Sequence, residues 1–272
     1  MSTPLCHIHV PQAPLKSLVN VLWYYEGYEV PHEKERLLPD GSISIVFNLQ
    51  DDVTRLYDRD NPTAVSKLSG SIVCGAHSNY FIIDTAEQAQ TVGVHFKPGG
   101  AFPLLGLPAS QIRNQHISLE DIWGADAERL RNKMLEATTP AAKLSHLEQA
   151  LLVKAHTFKR HAAVAFALER LCTSTNVANV IDQIGLSSRR FLELFNDQVG
   201  LSPKQYTRIM RFQSVIRHIA KPQPIDWTDL ALTCGYFDQA HFNHDFRSFS
   251  GINPTTYLKH HTEHLNHVPM VD

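Results

Sequence analysis

Cysteine and histidine side chains that could bind a metal or act as nucleophiles are scattered through the first half of the chain. Cys6-His-Ile-His9 lies near the N-terminus, and Cys74 comes three residues before His77. Thiolate and imidazole groups are metal ligands, and an adjacent histidine can activate a cysteine. The alternation of residue types around Cys6 is more typical of a strand face, and no third, orienting residue is evident near Cys74. We therefore expect no metal site, no cofactor and no catalytic residue.

The composition predicts a cytoplasmic protein of two domains. A chain of 272 residues, 43% of them hydrophobic, can bury one or two cores. No apolar run approaches the roughly 18 residues that span a bilayer, and Met1–Val10 lacks the basic and apolar blocks of a secretion signal. The four cysteines form no CxxC pair, which is typical of reduced thiols. The formal charge is −2, with 13 basic against 17 acidic residues up to Lys154 and 12 against 10 beyond it; this asymmetry is mild.

Strands and then helices are predicted for the first domain. β-branched and aromatic runs beginning near Ile43, Ile72, Phe81 and Thr91 are separated by Gly, Asp and Asn residues, a pattern that indicates strands. Val92, Val94 and Phe96 alternate with Thr91, Gly93 and His95, which predicts a half-buried strand. Ser118 and Asp121 resemble a capping box, and Leu144, Leu147 and Leu151 fall on one face of a later helix. The first domain should end near residue 155.

The remainder of the chain is predicted to be all helical. Apolar residues recur at i, i+3, i+4 and i+7 from Val164, from Val177 and from Trp227, as on one face of a helix. Gly185 and Gly235 end two of these helices, and Pro222 with Pro224 ends the long segment from Ser202 to Lys221. The sequence therefore predicts the α+β class: a mixed, β-rich N-terminal domain with trailing helices, followed by an all-α domain.

An internal repeat divides the helical part into two similar units. At an offset of 51 residues, five pairs coincide: Phe191 with Phe242, Phe195 with Phe246, Gly200 with Gly251, Pro203 with Pro254 and Tyr206 with Tyr257. Each copy reads as a short helix, a turn at a glycine, and a second helix capped by Ser187 or Asp238, which is a helix-turn-helix. Because the paired phenylalanines face the core, the other positions point outward. They are Ser188, Arg189, Leu192 and Glu193 in one copy and Gln239, Ala240, His241, His244 and Arg247 in the other.

These motifs resemble the AraC/XylS family of bacterial regulators. The resemblance runs from about Ala163 to Tyr257 and is carried by GxSxRxFxxxFxxxxGxSPxxY, from Gly185 to Tyr206, and by CGYFDQAHFNHDFRSFSGINPTTY, from Cys234 to Tyr257. It implies a DNA-binding domain over residues 156–260, with units at about 177–198 and 227–249, a linker helix at about 203–221 and a tail at 261–272. The two recognition helices should enter successive turns of the major groove, about 34 Å apart.

The resemblance also implies roles for single side chains. It puts Arg189, Glu193, Gln239, His241 and His244 where relatives contact bases, and arginine, glutamate and glutamine have the hydrogen-bonding groups to read guanine, cytosine and adenine. Arg190, Lys204, Arg208 and Arg247 are interpreted as contacts to the DNA backbone. His244 and Glu193 replace frequent arginines, so the operator cannot be copied from a relative.

The first domain weakly resembles the N-terminal domain of a poorly characterised AraC subset. The resemblance rests on Leu38-Pro-Asp-Gly41, Val94-His-Phe-Lys-Pro-Gly-Gly100 and Leu119-Glu-Asp-Ile-Trp123. By analogy with better-known relatives, this domain would bind an effector or a second copy of the chain. Aromatic residues are common in such pockets, and Trp23, Tyr25 and His95 are the effector-binding candidates.

Two functional classes follow from this sequence. The first is a non-enzymatic transcription regulator that binds double-stranded promoter DNA, with a small molecule or self-association acting through the N-terminal domain, and RNA polymerase as a partner if it is an activator. The alternative is a DNA-binding module fused to a thiol-dependent enzyme or repair domain, which would use Cys6 or Cys74 as an activated thiolate.

Overall fold

The structure is a computed structural model that describes residues 5–155, 160–171, 177–221 and 224–270. Cys172 and Pro222 therefore lie outside the described residues. The described chain has a β-rich N-terminal part and a helical C-terminal part. The predicted α+β class, with strands first and two helix-turn-helix units after them, is confirmed.

Two antiparallel sheets form the N-terminal part. The described strands are β1 Leu5–His9, β2 Val19–Glu26, β3 Lys34–Leu37, β4 Ser44–Asn48, β5 Val53–Tyr57, β6 Val65–Ser69, β7 Ser71–Cys74, β8 Phe81–Asp84, β9 Gln90–Phe96, β10 His116–Ser118 and β11 His267–Pro269. One sheet has the order β1-β2-β9-β4-β7-β10 and the other the order β11-β3-β8-β5-β6. The strands predicted near Ile43, Ile72, Phe81 and Thr91 are confirmed as β4, β7, β8 and β9.

The two faces of the six-stranded sheet have different surroundings. On β9, Val92, Val94 and Phe96 are buried, whereas Thr91 and His95 line a cavity between the sheets. Successive side chains of a strand point to opposite faces, so the predicted alternation is present, but β9 is not half-buried, because Thr91 and Gly93 on the cavity side are buried as well. One face packs on a helix and the other faces the space that we call the inter-sheet cavity.

Four helices complete the N-terminal part: α1 Phe102–Leu105, α2 Glu120–Trp123, α3 Ala125–Glu136 and α4 Pro140–Lys154. Leu144, Leu147 and Leu151 of α4 are buried, as predicted, and α4 packs on β2 and β9. The predicted capping box at Ser118 is wrong. Ser118 is the last residue of β10, paired with Ile72, and α2 begins after Leu119 without a side-chain cap. Pairing in the sheet fixes the Ser118 backbone, and its hydroxyl accepts a hydrogen bond from the Ser69 N–H at 3.4 Å.

The C-terminal helices are α5 Ala162–Leu171, α6 Val177–Asp182, α7 Ser188–Val199, α8 Pro203–Ile219, α9 Trp227–Thr233, α10 Gln239–Ser250 and α11 Pro254–His260. Helices α6 and α7 form the first helix-turn-helix unit, and α9 and α10 form the second. Helix α8 links the two units. Within the described residues, no helix is both long and apolar enough to cross a lipid bilayer.

The repeat predicted from the sequence is present in the packing of both units. Four phenylalanines, Phe191, Phe195, Phe242 and Phe246, are fully buried, and both repeated tyrosines are buried beside them. Ser187, Ser202, Asp238 and Asn253 each accept a hydrogen bond from a backbone N–H at the start of the helix that follows. The predicted N-caps Ser187 and Asp238 are confirmed, and the four caps together give the two units equivalent geometry.

Residues Thr262–Met270, which we call the C-terminal segment, include strand β11 of the five-stranded sheet. The sequence predicts a solvated tail here, and this prediction is wrong for the described residues. Strand β11 pairs with β3 in the register His267–Leu37, Val268–Arg36 and Pro269–Glu35, and Val268 is buried. The exposed edge of β3 supplies unpaired backbone groups, which the segment satisfies.

Both helix-turn-helix units contact the N-terminal part. In the first unit, the Ser110 hydroxyl donates a hydrogen bond to Asp197 at 2.8 Å. In the second unit, the Tyr80 N–H donates to the Phe249 carbonyl at 3.0 Å. On linker helix α8, the Gln213 amide donates to the Pro39 carbonyl at 2.8 Å. Buried apolar residues form one continuous core through both parts, so the helical units are fixed against the sheets.

Candidate nucleic-acid interface

Helix α7 presents a polar face to solvent. Its Phe191 and Phe195 are buried, while Ser188, Arg189 and Arg190 are exposed at its first turn. The Arg189 side chain is 91% exposed, and its Nε donates to Glu193 Oε1 at 3.1 Å. Such an exposed pair four residues apart on a helix contributes little to stability. Both side chains are therefore available to a ligand at this face.

Helix α10 presents the equivalent face in the second unit. Gln239, Ala240, His244 and Arg247 are exposed. His241 is more enclosed, because its ring packs edge-on against Tyr236 at 5.3 Å between centroids and its side chain is 39% exposed. The structure therefore brings the predicted base-reading residues of each unit to the outer face of one helix.

An open groove runs along helix α10 and the start of α11. It has a volume of about 640 Å³. Its lining residues come from these two helices, the turn between them and the start of α9, and they are Trp227, Gln239, Asn243, His244, Arg247, Ser248, Asn253, Pro254 and Thr255. Three of the predicted DNA-binding residues, Gln239, His244 and Arg247, line the groove.

The four residues predicted to contact the DNA backbone have different surroundings in the protein. Arg190, Lys204 and Arg247 are exposed. Arg208 instead forms a partly buried ion pair, since its Nη2 donates to Asp245 Oδ1 at 2.6 Å, with the Arg208 side chain 31% and the Asp245 side chain 2% exposed. This hydrogen bond raises the pKa of Arg208. Arg208 thus joins α8 to α10, a structural role that the sequence reading did not identify.

The three effector candidates meet in the inter-sheet cavity. Trp23 and Tyr25 of β2 and His95 of β9 all line it, and its volume is about 510 Å³. The indole of Trp23 lies directly over Gly93 on the paired strand, where an added Cβ would come within 2.1 Å of the ring. The absence of a side chain at Gly93 therefore lets the indole lie flat on the sheet.

A chain of three polar residues lies in the wall of this cavity. The Ser44 hydroxyl is 2.9 Å from His95 Nδ1, and Asp40 Oδ2 is 3.0 Å from His95 Nε2. Burial lowers the pKa of His95, but the hydrogen bond and charge of Asp40 outweigh burial and raise it above the ordinary value. Asp40 and Ser44 were not predicted as site residues. Asp40 lies in the Leu38-Pro-Asp-Gly41 motif, and this motif is the feature of the sequence from which Asp40 could have been identified as a site residue.

Neither Cys6 nor Cys74, the two candidate nucleophiles, is an activated thiol. Cys74 lines the cavity, and burial raises its pKa to about 12. Burial also raises the pKa of Cys6, with Glu263 adding to the effect. A thiol with a raised pKa is protonated at neutral pH and is a poor nucleophile. In the described part of the chain, no group of three or more His, Cys, Asp or Glu residues is arranged to hold a metal.

Comparisons with known proteins match the β-rich and the helical parts of the chain to two separate families. Residues 7–118 match a domain of unknown function, DUF6597, and residues 180–260 match a helix-turn-helix domain family. The HTH-type transcriptional activator RhaS of Escherichia coli (strain K12 / DH10B) is 31% identical over 84 residues, which are 31% of this chain and 30% of that protein. The chain thus matches less than a third of the length of this curated relative.

Two solved structures of ToxT from Vibrio cholerae are similar over most of the chain at low identity. For ToxT of strain O395 the TM-score is 0.44 at 10% identity, covering 84% of this chain and 93% of that one. For a lysine-to-alanine variant of apo ToxT from strain SCE256 the TM-score is 0.45 at 10% identity, covering 95% and 98%. The helix-turn-helix family match covers the helical units described above. Residues 180–260 are therefore an AraC-type helix-turn-helix domain, which this chain carries behind a domain whose family has no assigned function.

Proposed function

We propose that this protein is a sequence-specific DNA-binding transcription regulator. The observation that carries the proposal is the pair of equivalent helices, α7 and α10, each with its phenylalanines buried and its polar face exposed. An α-helix fits the major groove, where each base pair presents a distinct pattern of donors and acceptors. Two such helices in one chain would read a bipartite site.

The roles of individual residues belong to the same proposal. Arg189 and Glu193 of α7, together with Gln239, His241 and His244 of α10, read base edges. Ser188 and Ala240 lie at the same exposed faces and contact the groove. Arg190, Lys204 and Arg247 neutralise phosphates, which supplies affinity without sequence information. Arg208 is the exception among the predicted phosphate contacts, because its guanidinium is held by Asp245.

The N-terminal domain regulates DNA binding in this proposal, by binding a small molecule in the inter-sheet cavity. The cavity volume of about 510 Å³ falls in the range of roughly 300–1,000 Å³ that is typical of small-molecule sites. Trp23, Tyr25 and His95 are its proposed ligand contacts. The protonated thiols of Cys6 and Cys74 give no support to the alternative of a thiol-dependent enzyme.

The test is selection of bound duplexes from a random DNA pool by the full-length chain, followed by titration of the best duplex at two salt concentrations. We expect an enriched bipartite sequence whose half-elements are about one helical turn, roughly 10 base pairs, apart. Affinity for that sequence should exceed non-specific affinity by a factor of about 10³ or more. Binding that is equally strong on all sequences and falls steeply with salt would refute base reading by α7 and α10.

A further inference from the structure

The C-terminal segment connects the second helix-turn-helix unit to the wall of the inter-sheet cavity. The segment follows α11 directly, and four consecutive residues, His264, Leu265, Asn266 and His267, line the cavity. The His264 imidazole packs edge-on against the Tyr25 ring at 5.8 Å, and its Nε2 is 3.4 Å from the Tyr25 hydroxyl. The cavity is therefore built from both ends of the chain.

A buried carboxylate holds the segment on the N-terminal domain. Glu35 is fully buried, and its two oxygens bond His267 Nδ1 at 2.9 Å and His32 Nε2 at 2.6 Å, with a further bond donated by the Tyr28 hydroxyl. Burial raises the pKa of Glu35, but these hydrogen bonds together lower it to about 2. Glu35 is therefore ionised at neutral pH, and His267 of the C-terminal segment is one of the three side chains that bond its carboxylate.

The segment is held on its other side by the DNA-binding helices. The Tyr257 hydroxyl of α11 donates to the Leu265 carbonyl at 2.7 Å. The Gln213 amide of α8 donates to Asn266 Oδ1 at 2.9 Å as well as to the Pro39 carbonyl. Helix α8 links the two recognition units. A displacement of the C-terminal segment would therefore disturb hydrogen bonds to both α8 and α11.

The charges around the cavity are already compensated, which favours a neutral ligand. Arg55 is the guanidinium among the described lining residues, and it pairs with Glu87 at 2.8 Å. His95 pairs with Asp40, and the Tyr57 hydroxyl donates to Asp84 at 2.6 Å. An anionic ligand would find no unpaired cation among these residues, and burying an unpaired charge is costly. Trp23, Tyr25 and Phe81 offer aromatic surface instead.

The polar chain at Ser44 supplies one directional contact for such a ligand. When His95 is protonated, both ring nitrogens donate, one to Asp40 and the other to the Ser44 oxygen. The Ser44 hydroxyl hydrogen is then left to donate to a further acceptor. A carbonyl, ether or amine nitrogen of a ligand in the cavity would accept it.

We propose that the inter-sheet cavity binds a neutral, aromatic small molecule, and that the C-terminal segment couples its occupancy to DNA binding. A ligand against Tyr25 and His264 adds contacts to the segment and stabilises its pairing with β3, which restrains α8 and α11. The inference rests on the proposed regulator function and specifies the ligand class and the coupling element. Coupling between two sites is reciprocal, so DNA must alter ligand affinity by the same factor.

The ligand class is tested with two fluorescent probes, neutral N-phenyl-1-naphthylamine and anionic 1-anilinonaphthalene-8-sulfonate. We expect the neutral probe to bind one per chain and the anionic probe to bind at least about tenfold more weakly, since a buried, unpaired charge costs more than 1.4 kcal/mol. Val46→Phe, which adds bulk inside the cavity, should remove neutral-probe binding. Equal affinity for both probes, or neutral-probe binding that persists in a folded Val46→Phe variant, overturns the assignment.

Hydrogen exchange of the unmodified chain tests the segment without any substitution. Saturation with N-phenyl-1-naphthylamine should slow exchange of the backbone amides of residues 264–270, among which the Met270 N–H donates to the Lys34 carbonyl of β3 at 2.9 Å. An unchanged exchange rate in these residues, with the probe bound, overturns the role of the segment.

The coupling is tested by measuring the affinity for the selected duplex with and without saturating N-phenyl-1-naphthylamine. We expect a change of about fivefold or more, within the usual range of allosteric coupling, and a reciprocal change in probe affinity with DNA. His264→Ala should reduce this factor to less than twofold, whereas the matched variant His260→Ala, exposed at the end of α11, should retain it. If DNA binding is sequence-specific but the bound probe does not alter it, the coupling alone is refuted. If DNA binding without any probe is not sequence-specific, the proposed function itself is refuted.

Discussion

Arg189 and Arg190 are neighbours on helix α7 to which the proposed function gives different tasks. The Arg189 side chain is 91% exposed and the Arg190 side chain 61%, and both lie near Glu193, at 3.1 Å and 3.8 Å; the proposal assigns Arg189 to a base and Arg190 to a phosphate. Arg189→Ala should reduce discrimination at one base pair by about 1–3 kcal/mol, and His241→Ala should do so at another. Arg190→Ala should weaken all duplexes alike and reduce the salt slope by about one.

Titrations of each variant against the selected duplex and its single-base derivatives measure these differences. If Arg189→Ala weakened every duplex to the same extent, Arg189 would be a phosphate contact rather than a base contact.

Arg208 is expected to matter for folding, because Asp245 is buried. Removing Arg208 leaves the buried Asp245 carboxylate without its shortest ionic contact, so Arg208→Ala should lower the free energy of unfolding by about 2 kcal/mol. Arg247→Ala is the matched control, since Arg247 is exposed on the same helix as Asp245, and it should stay within about 0.5 kcal/mol of the unmodified chain. Urea denaturation of both variants decides the point, and equal stability would contradict the structural role of Arg208.

Asp40 should make stability depend on pH through His95. The folded pKa of His95 is raised above its ordinary value, so this contribution is complete below about pH 6.5 and is lost as the pH rises through the folded pKa. His77 and His116 act in the opposite sense, because burial lowers their pKa values, that of His116 to about 4. Comparing the unmodified chain with Asp40→Asn isolates the contribution of His95, because the substitution removes the partner of His95 and leaves the burial of His77 and His116 unchanged.

The expected result is a stability difference between the unmodified chain and Asp40→Asn that is largest near pH 6 and shrinks toward pH 9. Urea unfolding at both pH values measures it. A difference that is the same at both values would show that Asp40 does not control the protonation of His95.

At the scale of elements, helix α8 determines how the two recognition units are joined, and its first turn has a complete capping box. The Ser202 hydroxyl accepts from the Gln205 N–H at 3.2 Å, and the Gln205 side chain accepts from the Ser202 N–H at 3.1 Å. Ser202→Ala should cost about 1 kcal/mol of unfolding free energy, whereas Ser202→Asn should restore nearly all of it, because asparagine is an equally good N-cap. Thermal denaturation of the two variants tests this, and equal losses would mean that the cap bond contributes nothing.

The helical elements were predictable because local rules specify them. Ser187 and Asp238 are N-caps next to amphipathic runs, and the pairs Phe191–Phe195 and Phe242–Phe246 fix which face is buried. These signals lie within a few residues of each other in the chain. The prediction of two helix-turn-helix units therefore needed no tertiary contacts.

Strand β11 and the polar wall of the cavity depend on contacts between residues far apart in the sequence, which local patterns do not predict. Strand β11 exists because it pairs with β3, more than 200 residues earlier, and a histidine-rich segment gives no local strand signal. Trp23, Tyr25 and His95 were identified as effector candidates by residue type, and all three line the cavity. Ser44 and Asp40 were missed, because only the register between β4 and β9 brings Ser44 to His95.

At the scale of the whole molecule, the Gly- and Pro-rich motifs of the N-terminal domain lie where the two parts meet. The Pro39 carbonyl accepts from Gln213 of α8, and the Pro98 carbonyl accepts from Arg160 at 3.2 Å. An added Cβ at Gly99 would lie 3.2 Å from Arg160. These motifs are therefore explained by close backbone approach of the helical part, in addition to any role in the sheets.

Gly41 offers the sharpest test of that contact. Its φ is +80°, and an added Cβ would lie 3.1 Å from Met210 Cε and 3.3 Å from two carbons of the Tyr206 ring, both on α8. Gly41→Ala should cost the roughly 1–2 kcal/mol of a left-handed alanine and, in addition, displace α8 from the N-terminal domain. Gly185→Ala is the matched control, since Gly185 has φ +72° with nothing within 4 Å, and it should show the backbone cost alone. Hydrogen exchange of α8 should therefore accelerate in Gly41→Ala but not in Gly185→Ala, and adding Met210→Ala to Gly41→Ala should reverse part of the effect. Equal exchange of α8 in the two single variants would mean that Gly41 does not hold linker helix α8 against the N-terminal domain.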